Sequence, residues 1–188
     1  MKNHTDILPS PLIRIALLCA TLGLLSACDG NTELMQHTLD GDPAAVQTEL
    51  TKGAVVDERN KYGWTALTHA ARQNQTATMA VLLDAGADIN TQDEDGWTPL
   101  MRAVSKGSNE ATQLLLQRKA NFETTDRNGW TALMWAANRG QLEGLKHLIS
   151  AGANVNVTSK DRRTAYSLAR NEGYSDILLV LKKAGAKQ

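Results

Sequence analysis

Few side chains in this sequence have the type and spacing that catalysis or metal binding requires. Beyond the first 28 residues the chain contains three histidines, His37, His69 and His147, and no cysteine. No two histidines have the spacing of a metal-ligand pair, and there is no glycine-rich phosphate loop. We therefore expect no catalytic site, metal, cofactor or small-molecule substrate, and we expect His37 and His69 to be solvent-facing helical residues.

One acidic run is similar to a calcium-binding loop only superficially. The run from Asp93 to Gly96 leads directly into Trp97, Thr98 and Pro99, and no glutamate follows at the distance that a calcium loop needs. We expect the carboxylates of this loop to be solvated. A Ser/His/Asp triad can be assembled from residues that are distant in sequence, so a hydrolytic enzyme stays the alternative of another class.

The sequence that precedes Cys28 predicts a specific processing and modification of that cysteine. Lys2 and Arg14 precede an apolar stretch that ends at Leu25 and is too short for a transmembrane helix of about 20 residues. This pattern is typical of a secretory signal peptide. The sequence Leu25-Ser26-Ala27-Cys28 resembles the lipobox of bacterial lipoproteins, with an ordinary signal peptide and a chance cysteine as the alternative.

The resemblance to bacterial lipoproteins implies a lipid attachment and a location. Residues 1–27 would be the cleaved signal peptide, and residues 28–31 the acylated Cys28 with a short tether. Asp29 resembles the signal that keeps enterobacterial lipoproteins at the inner membrane, so we expect the periplasmic side of that membrane, with the outer membrane as the alternative. Three or four extended residues span at most about 14 Å, so the following domain should lie on the bilayer surface.

The rest of the chain repeats every 33 residues. Gly-Trp-Thr begins at Gly63, Gly96 and Gly129, which divides the chain into the units 29–61, 62–94, 95–127, 128–160 and 161–188. A threonine stands where it can cap the first helix of each unit, and a glycine closes most of the second helices. The period predicts an all-α solenoid of five helix-turn-helix units joined by short hairpin-like loops.

These units resemble ankyrin repeats. Thr98-Pro99-Leu100 opens one first helix, and the run from Leu83 to Asn90 closes a second helix, as is typical of that family. The resemblance implies a concave recognition surface made of hairpin tips and first helices. Lys119 departs from the pattern because it occupies a helix-closing glycine position, where a left-handed backbone costs about 1–2 kcal/mol. We expect the third unit to be strained or shifted there.

The end units differ from the interior units in ways that suit caps. His37 and Thr38 replace the small pair found in interior units such as Ala70-Ala71, and Lys182 replaces an apolar residue of the last helix. We expect these positions to face solvent, because capping repeats need a polar outer face. Five units should therefore complete the array.

The predicted recognition surface supplies the candidate partner-binding residues. They are Trp135, Trp64, Trp97, Trp130, Tyr62, Arg72, Arg102, Lys106 and Arg139. Tryptophan, tyrosine and arginine are enriched in binding hot spots. The repeated tryptophans should form a ladder of about 10 Å per step, which either packs between hairpins or contacts a partner. Trp135 is unrepeated, since other units have Gln36, His69, Arg102 or Leu168 there, and it suggests a partner contact.

The charge balance gives no support for nucleic-acid binding. Without the predicted signal peptide, 18 basic and 19 acidic residues remain, whereas nucleic-acid binding favours a basic surface. We predict a monomeric, membrane-tethered protein–protein interaction module that acts as a scaffold, stabiliser or inhibitor of an unknown partner. An immunity-type protein that neutralises a periplasmic toxin is a more specific alternative, which no residue selects.

Overall fold

The computed structural model describes residues 29–187 of the chain. The predicted signal peptide and the predicted lipidation site Cys28 lie outside the described residues. Within them the chain forms ten helices and no strand, which confirms the predicted all-α class. The helices are α1 (Glu33–Leu39), α2 (Pro43–Thr51), α3 (Ala66–Arg72), α4 (Thr76–Asp84), α5 (Pro99–Lys106), α6 (Asn109–Gln117), α7 (Ala132–Asn138), α8 (Leu142–Ser150), α9 (Ala165–Glu172) and α10 (Ser175–Lys183).

The helices form two layers. The first helices of the units, which are α1, α3, α5, α7 and α9, pack on one another in chain order, and the second helices do the same. Leu67, Leu100 and Leu133 lie in the core with at most 1% of their surface exposed. Small residues on the first helices, such as Ala70 and Ala103, are also fully buried and let neighbouring helices approach closely.

The repeated threonine caps every first helix, as the sequence predicts. Each hydroxyl oxygen accepts a hydrogen bond from the backbone N–H three residues later, at 3.2 or 3.3 Å. An N-cap of this kind stabilises a helix by about 1 kcal/mol. The threonines are Thr32, Thr65, Thr98, Thr131 and Thr164.

The glycine of Gly-Trp-Thr is required by the close approach of neighbouring hairpins. Gly63 and Gly96 have φ angles of +75° and +81°. A Cβ atom on Gly63 would lie 2.9 Å from the backbone nitrogen of Glu94, and one on Gly96 would lie 3.0 Å from that of Arg127. Only glycine satisfies both the left-handed backbone and this contact.

The structure corrects the expectation for Thr38 and confirms the expectation of strain at Lys119. Thr38 is fully buried rather than solvent-facing, because α1 packs against both α2 and α3, and its hydroxyl donates to the Leu34 carbonyl at 2.8 Å. Lys182 is exposed, as expected. Lys119 has a left-handed φ of 65°, yet α6 has nine residues, as α4 and α8 do. The third unit is therefore strained at one residue and not shifted.

Candidate partner-binding face

Each hairpin between helix pairs closes around one buried polar side chain. The Asn60 Oδ1 atom accepts hydrogen bonds from the backbone N–H groups of Tyr62 and Trp64, both at 3.0 Å. Asp93 and Asp126 repeat this arrangement at 2.8 to 3.0 Å. Ser159 plays the equivalent part in the last hairpin, where its hydroxyl accepts from the N–H of Arg163 at 2.9 Å.

These hairpin residues are structural residues that the sequence reasoning missed. Asp93 is buried, so the expectation that it is a solvated loop carboxylate was wrong, although Glu94 and Asp95 are exposed. The backbone N–H groups of the turn take the place of water around the Asp93 oxygen. A recognisable signal existed, since a polar residue recurs every 33 positions at Asn60, Asp93, Asp126 and Ser159.

Neighbouring hairpins are also joined through their backbones. The N–H of Glu94 donates to the Tyr62 carbonyl at 3.1 Å, and that of Arg127 donates to the Asp95 carbonyl at the same distance. The N–H of Lys160 donates to the Asn128 carbonyl at 3.1 Å. These bonds hold the hairpins at a fixed spacing, so their side chains present a regular surface.

Arg102 links two neighbouring hairpins. Its Cζ atom lies 4.6 Å from the ring centroid of Trp64 and 4.2 Å from that of Trp97. Its Nε atom donates to Asp93 Oδ2 at 2.9 Å, and its Nη2 atom forms an ion pair with the same oxygen. The Asp93 side chain is only 1% exposed, so Arg102 supplies the charge that a buried carboxylate needs.

Trp135 fills the equivalent place one unit later. Its ring centroid lies 4.1 Å from that of Trp97 and 4.5 Å from that of Trp130. Its Nε1–H group donates to Asp126 Oδ2 at 3.1 Å. The predicted ladder is a continuous row of side chains in contact, which we call the aromatic stack although it includes one arginine; its order is Trp64, Arg102, Trp97, Trp135 and Trp130. Packing between hairpins accounts for these contacts. The partner contact of Trp135 stays a prediction.

The other candidate residues lie at the surface around the aromatic stack. Tyr62 is 50% exposed, and Arg72, Lys106 and Arg139 are also exposed. The guanidinium carbons of Arg72 and Arg139 lie 5.5 and 5.7 Å from the ring centroids of Trp64 and Trp135. We call the surface formed by the hairpins and the first helices the hairpin face. Trp130 is only 8% exposed and contributes little area to it.

An open cavity of about 410 Å³ lies on the hairpin face beside the first two hairpins. Tyr62, Trp64 and His69 line it together with Asp29, the predicted sorting residue. The Asp29 carboxylate lies 3.2 Å from the Lys61 ammonium and accepts a hydrogen bond from the Tyr62 hydroxyl at 3.4 Å. Asp29, the residue that follows Cys28, thus contacts the first hairpin through an ion pair and a hydrogen bond.

His69 is buried, so the expectation that it faces solvent was wrong. Its residue surface is 8% exposed, and its ring lies 4.9 Å from that of Trp64. Within residues 29–187 no hydrogen-bond partner reaches its Nε2 atom. Burial, with a smaller effect of the Arg72 charge, lowers the pKa of His69 from 6.5 to about 4. The imidazole is therefore neutral at pH 7.

The described residues contain no group of three or more histidine, cysteine, aspartate or glutamate side chains arranged to hold a metal ion. In the same part of the chain, every helix is too short or too polar to cross a membrane.

Loss of Arg102 should destabilise the folded protein more than loss of an arginine in an exposed ion pair. Arg102→Leu leaves the Asp93 carboxylate buried without its counter-charge, so we expect the free energy of unfolding to fall by about 3 kcal/mol. Arg127→Leu is the matched control, because Arg127 and Glu94 are both exposed, 3.6 Å apart, and such pairs contribute less than about 1 kcal/mol. Urea denaturation measures both, and equal losses would contradict this role of Arg102.

The burial of His69 predicts a pH dependence of stability. Since the folded pKa is about 4 and the unfolded value is near 6.5, the unfolded state takes up a proton first as pH falls. The stabilisation is present above pH 6.5 and should be lost between pH 6.5 and 4, by roughly 3 kcal/mol. The free energies of unfolding of the wild type and of His69→Gln should be measured at several pH values. Their difference isolates the effect of His69, because the carboxylates titrate in both proteins. A pH-independent difference between the two proteins is the contrary result.

A family model described as ankyrin repeats (3 copies) matches residues 16–126, 88–159 and 113–188, which together cover more than half of the chain. Comparison with curated protein sequences gave no match. The helix pairs, the hairpins and the 33-residue period agree with the family match. The chain therefore belongs to the ankyrin-repeat family, whose repeats form protein–protein interaction modules.

Proposed function

We propose that the chain is a lipid-anchored interaction module that binds a partner protein on the periplasmic side of a bacterial inner membrane. It acts there as a scaffold, stabiliser or inhibitor, and the proposal includes no catalysis. Protein binding follows from the ankyrin repeats. The anchor and the location rest on the lipobox-like sequence that ends at Cys28 and on Asp29.

The position of Asp29 is the observation that supports binding close to the membrane. The backbone carbonyl of Asp29 accepts a hydrogen bond from the Lys61 N–H at 3.4 Å, in addition to the contacts of its carboxylate. One peptide bond separates Asp29 from Cys28. If Cys28 is acylated, the first hairpin and its cavity stand at the bilayer with a shorter tether than the three or four residues expected from sequence.

The hairpin face is the surface best suited to bind the partner. Its aromatic stack is held by the buried carboxylates of Asp93 and Asp126, so little conformational entropy is lost there on binding. Tyr62, Arg72 and Arg139 are exposed beside the stack and are of the residue types that dominate binding hot spots. A partner that contacts these residues also covers the first hairpin, which Asp29 contacts.

Removal of the lipid anchor should reduce capture of the partner. We expect Cys28→Ser to lose a labelled acyl group, to leave the membrane fraction and to crosslink less partner in cells, because its local concentration at the membrane falls. Cys19→Ser is the matched control and should behave like the wild type, since Cys19 lies within the predicted cleaved segment. Acyl labelling of Cys28→Ser, or a failure of the wild type to capture any protein, would contradict the proposal.

A linker variant tests whether partner capture requires a short distance to the bilayer in addition to the lipid anchor. About 20 Gly/Ser residues followed by a second aspartate, inserted after Asp29, preserve both the lipobox neighbour and the carboxylate that contacts Lys61. Such a linker adds a mean reach of about 25 Å. We expect unchanged acylation and stability with reduced capture, whereas undiminished capture would contradict binding close to the membrane.

A further inference from the structure

Three neighbouring first helices carry cations without any acidic side chain. Helices α3, α5 and α7 contain no aspartate or glutamate, and a basic residue stands at the end of each. Arg72 and Lys106 are the last residues of α3 and α5, and Arg139 caps α7. These three side chains line an open cavity of about 290 Å³ with Trp97, Arg102 and Ser105. We call this site the cationic cavity.

The three terminal cations of the cationic cavity have no carboxylate partner within residues 29–187. Arg102 is committed to Asp93, whereas Arg72, Lys106 and Arg139 form no ion pair there. Three cations in or at the end of second helices are arranged differently, since an acidic side chain lies 2.6 to 2.9 Å from each of them. These cations are Lys52, Arg118 and Lys146, whereas Lys182 and Lys183 of α10 form no ion pair within residues 29–187.

The electrostatics of helix ends explain only part of this arrangement. A cation at a helix C-terminus is stabilised by the helix dipole, which suits Arg72, Lys106 and Arg139 individually. Lys52 and Arg118 also lie at helix ends, yet each of these is paired with a carboxylate. The dipole therefore accounts for the positions of the cations but not for the missing acidic residues.

We propose that the cationic cavity binds an extended acidic segment of the partner protein, with one carboxylate at each of Arg72, Lys106 and Arg139. This inference rests on the protein-binding function proposed above. Neighbouring helices lie about 8–10 Å apart. An extended segment in the polyproline II conformation rises about 3.1 Å per residue with three residues per turn, so every third side chain lies on the same side, about 9 Å from the previous one. Acidic residues at every third position of the segment thus match the spacing of the cations.

The guanidinium groups of the cationic cavity lie near aromatic rings and not near carboxylates. The guanidinium carbons of Arg72 and Arg139 lie 5.5 and 5.7 Å from the ring centroids of Trp64 and Trp135, and neither group forms an ion pair within residues 29–187, so their N–H groups can donate to a bound carboxylate. Arginine binds carboxylates through two parallel hydrogen bonds, which favours such a ligand. Trp97 supplies an apolar surface between the charges, against which the segment's backbone and aliphatic atoms can pack.

A protein segment fits this site better than an anionic bilayer does. The exposed carboxylates of Asp29, Glu94 and Asp95 are paired with Lys61, Arg127 and Arg102, so these pairs add no net positive charge that would attract an anionic lipid surface. The cations of the cationic cavity line a concave site that an extended chain can enter, whereas a planar layer of headgroups cannot fill it.

A defined peptide tests the inference on the purified, detergent-solubilised protein. The probe is a ten-residue Gly/Ser peptide with glutamate at every third position, and its control has glutamine instead. We expect calorimetry at low salt to give at least about tenfold tighter binding of the glutamate peptide, weakening as salt is added. The variant Arg72→Gln/Lys106→Gln/Arg139→Gln should lose about tenfold or more.

The matched control variant is Lys52→Gln/Arg118→Gln/Lys146→Gln, which removes the same charge from the second helices and should bind within about twofold of the wild type. Equal losses in the two variants would overturn the inference, because net charge alone would then explain binding. So would a wild-type protein that binds phosphatidylglycerol vesicles but not the glutamate peptide.

Partner capture in cells separates this inference from the proposed function. We expect the variant at Arg72, Lys106 and Arg139 to capture less partner than the control variant does. If both variants capture the partner as well as the wild type does, the cationic cavity is not the site, while protein binding stands. If the wild type itself captures none, the proposed function fails.

Discussion

The hairpin face depends on one buried carboxylate, amide or hydroxyl group at the base of each hairpin. In Asp93 and Asp126 one oxygen accepts two backbone N–H groups and closes the turn. The other oxygen fixes a side chain of the following first helix, which is Arg102 in one unit and Trp135 in the next. A single residue thus couples the shape of the loop to the position of a side chain on the surface, and an unpaired group in its place would cost about 1–3 kcal/mol.

This coupling divides the candidate residues into two groups with different physical roles. Arg102, Trp135 and Trp130 belong to the aromatic stack, where their contacts with neighbouring units stabilise the array. Arg72, Lys106 and Arg139 surround the stack, are exposed and lack carboxylate partners in residues 29–187. The first group orders the surface, and the second group gives it a charge that a ligand can neutralise.

The features that sequence predicted well are local ones. The threonine caps, the glycine turns and the 33-residue period all depend on residues within a few positions of each other or on simple repetition. The burial of His69 and Thr38 was not predicted, because it depends on how adjacent helices cover one another. The place of Trp135 in the stack depends on Trp97, which lies one unit earlier, and on Asp126, nine residues earlier. No single unit contains these contacts, so inspection of one repeat could not reveal them.

We propose that the partner is bound by the hairpin face. Photo-crosslinking amino acids placed one at a time in cells test this most directly, at Tyr62 and Gln73 on that face and at Gln113 and Leu179, which are exposed on second helices. We expect a common crosslinked protein from Tyr62 and Gln73 and none from Gln113 or Leu179. Crosslinks to that protein from Gln113 or Leu179 alone would contradict binding by the hairpin face.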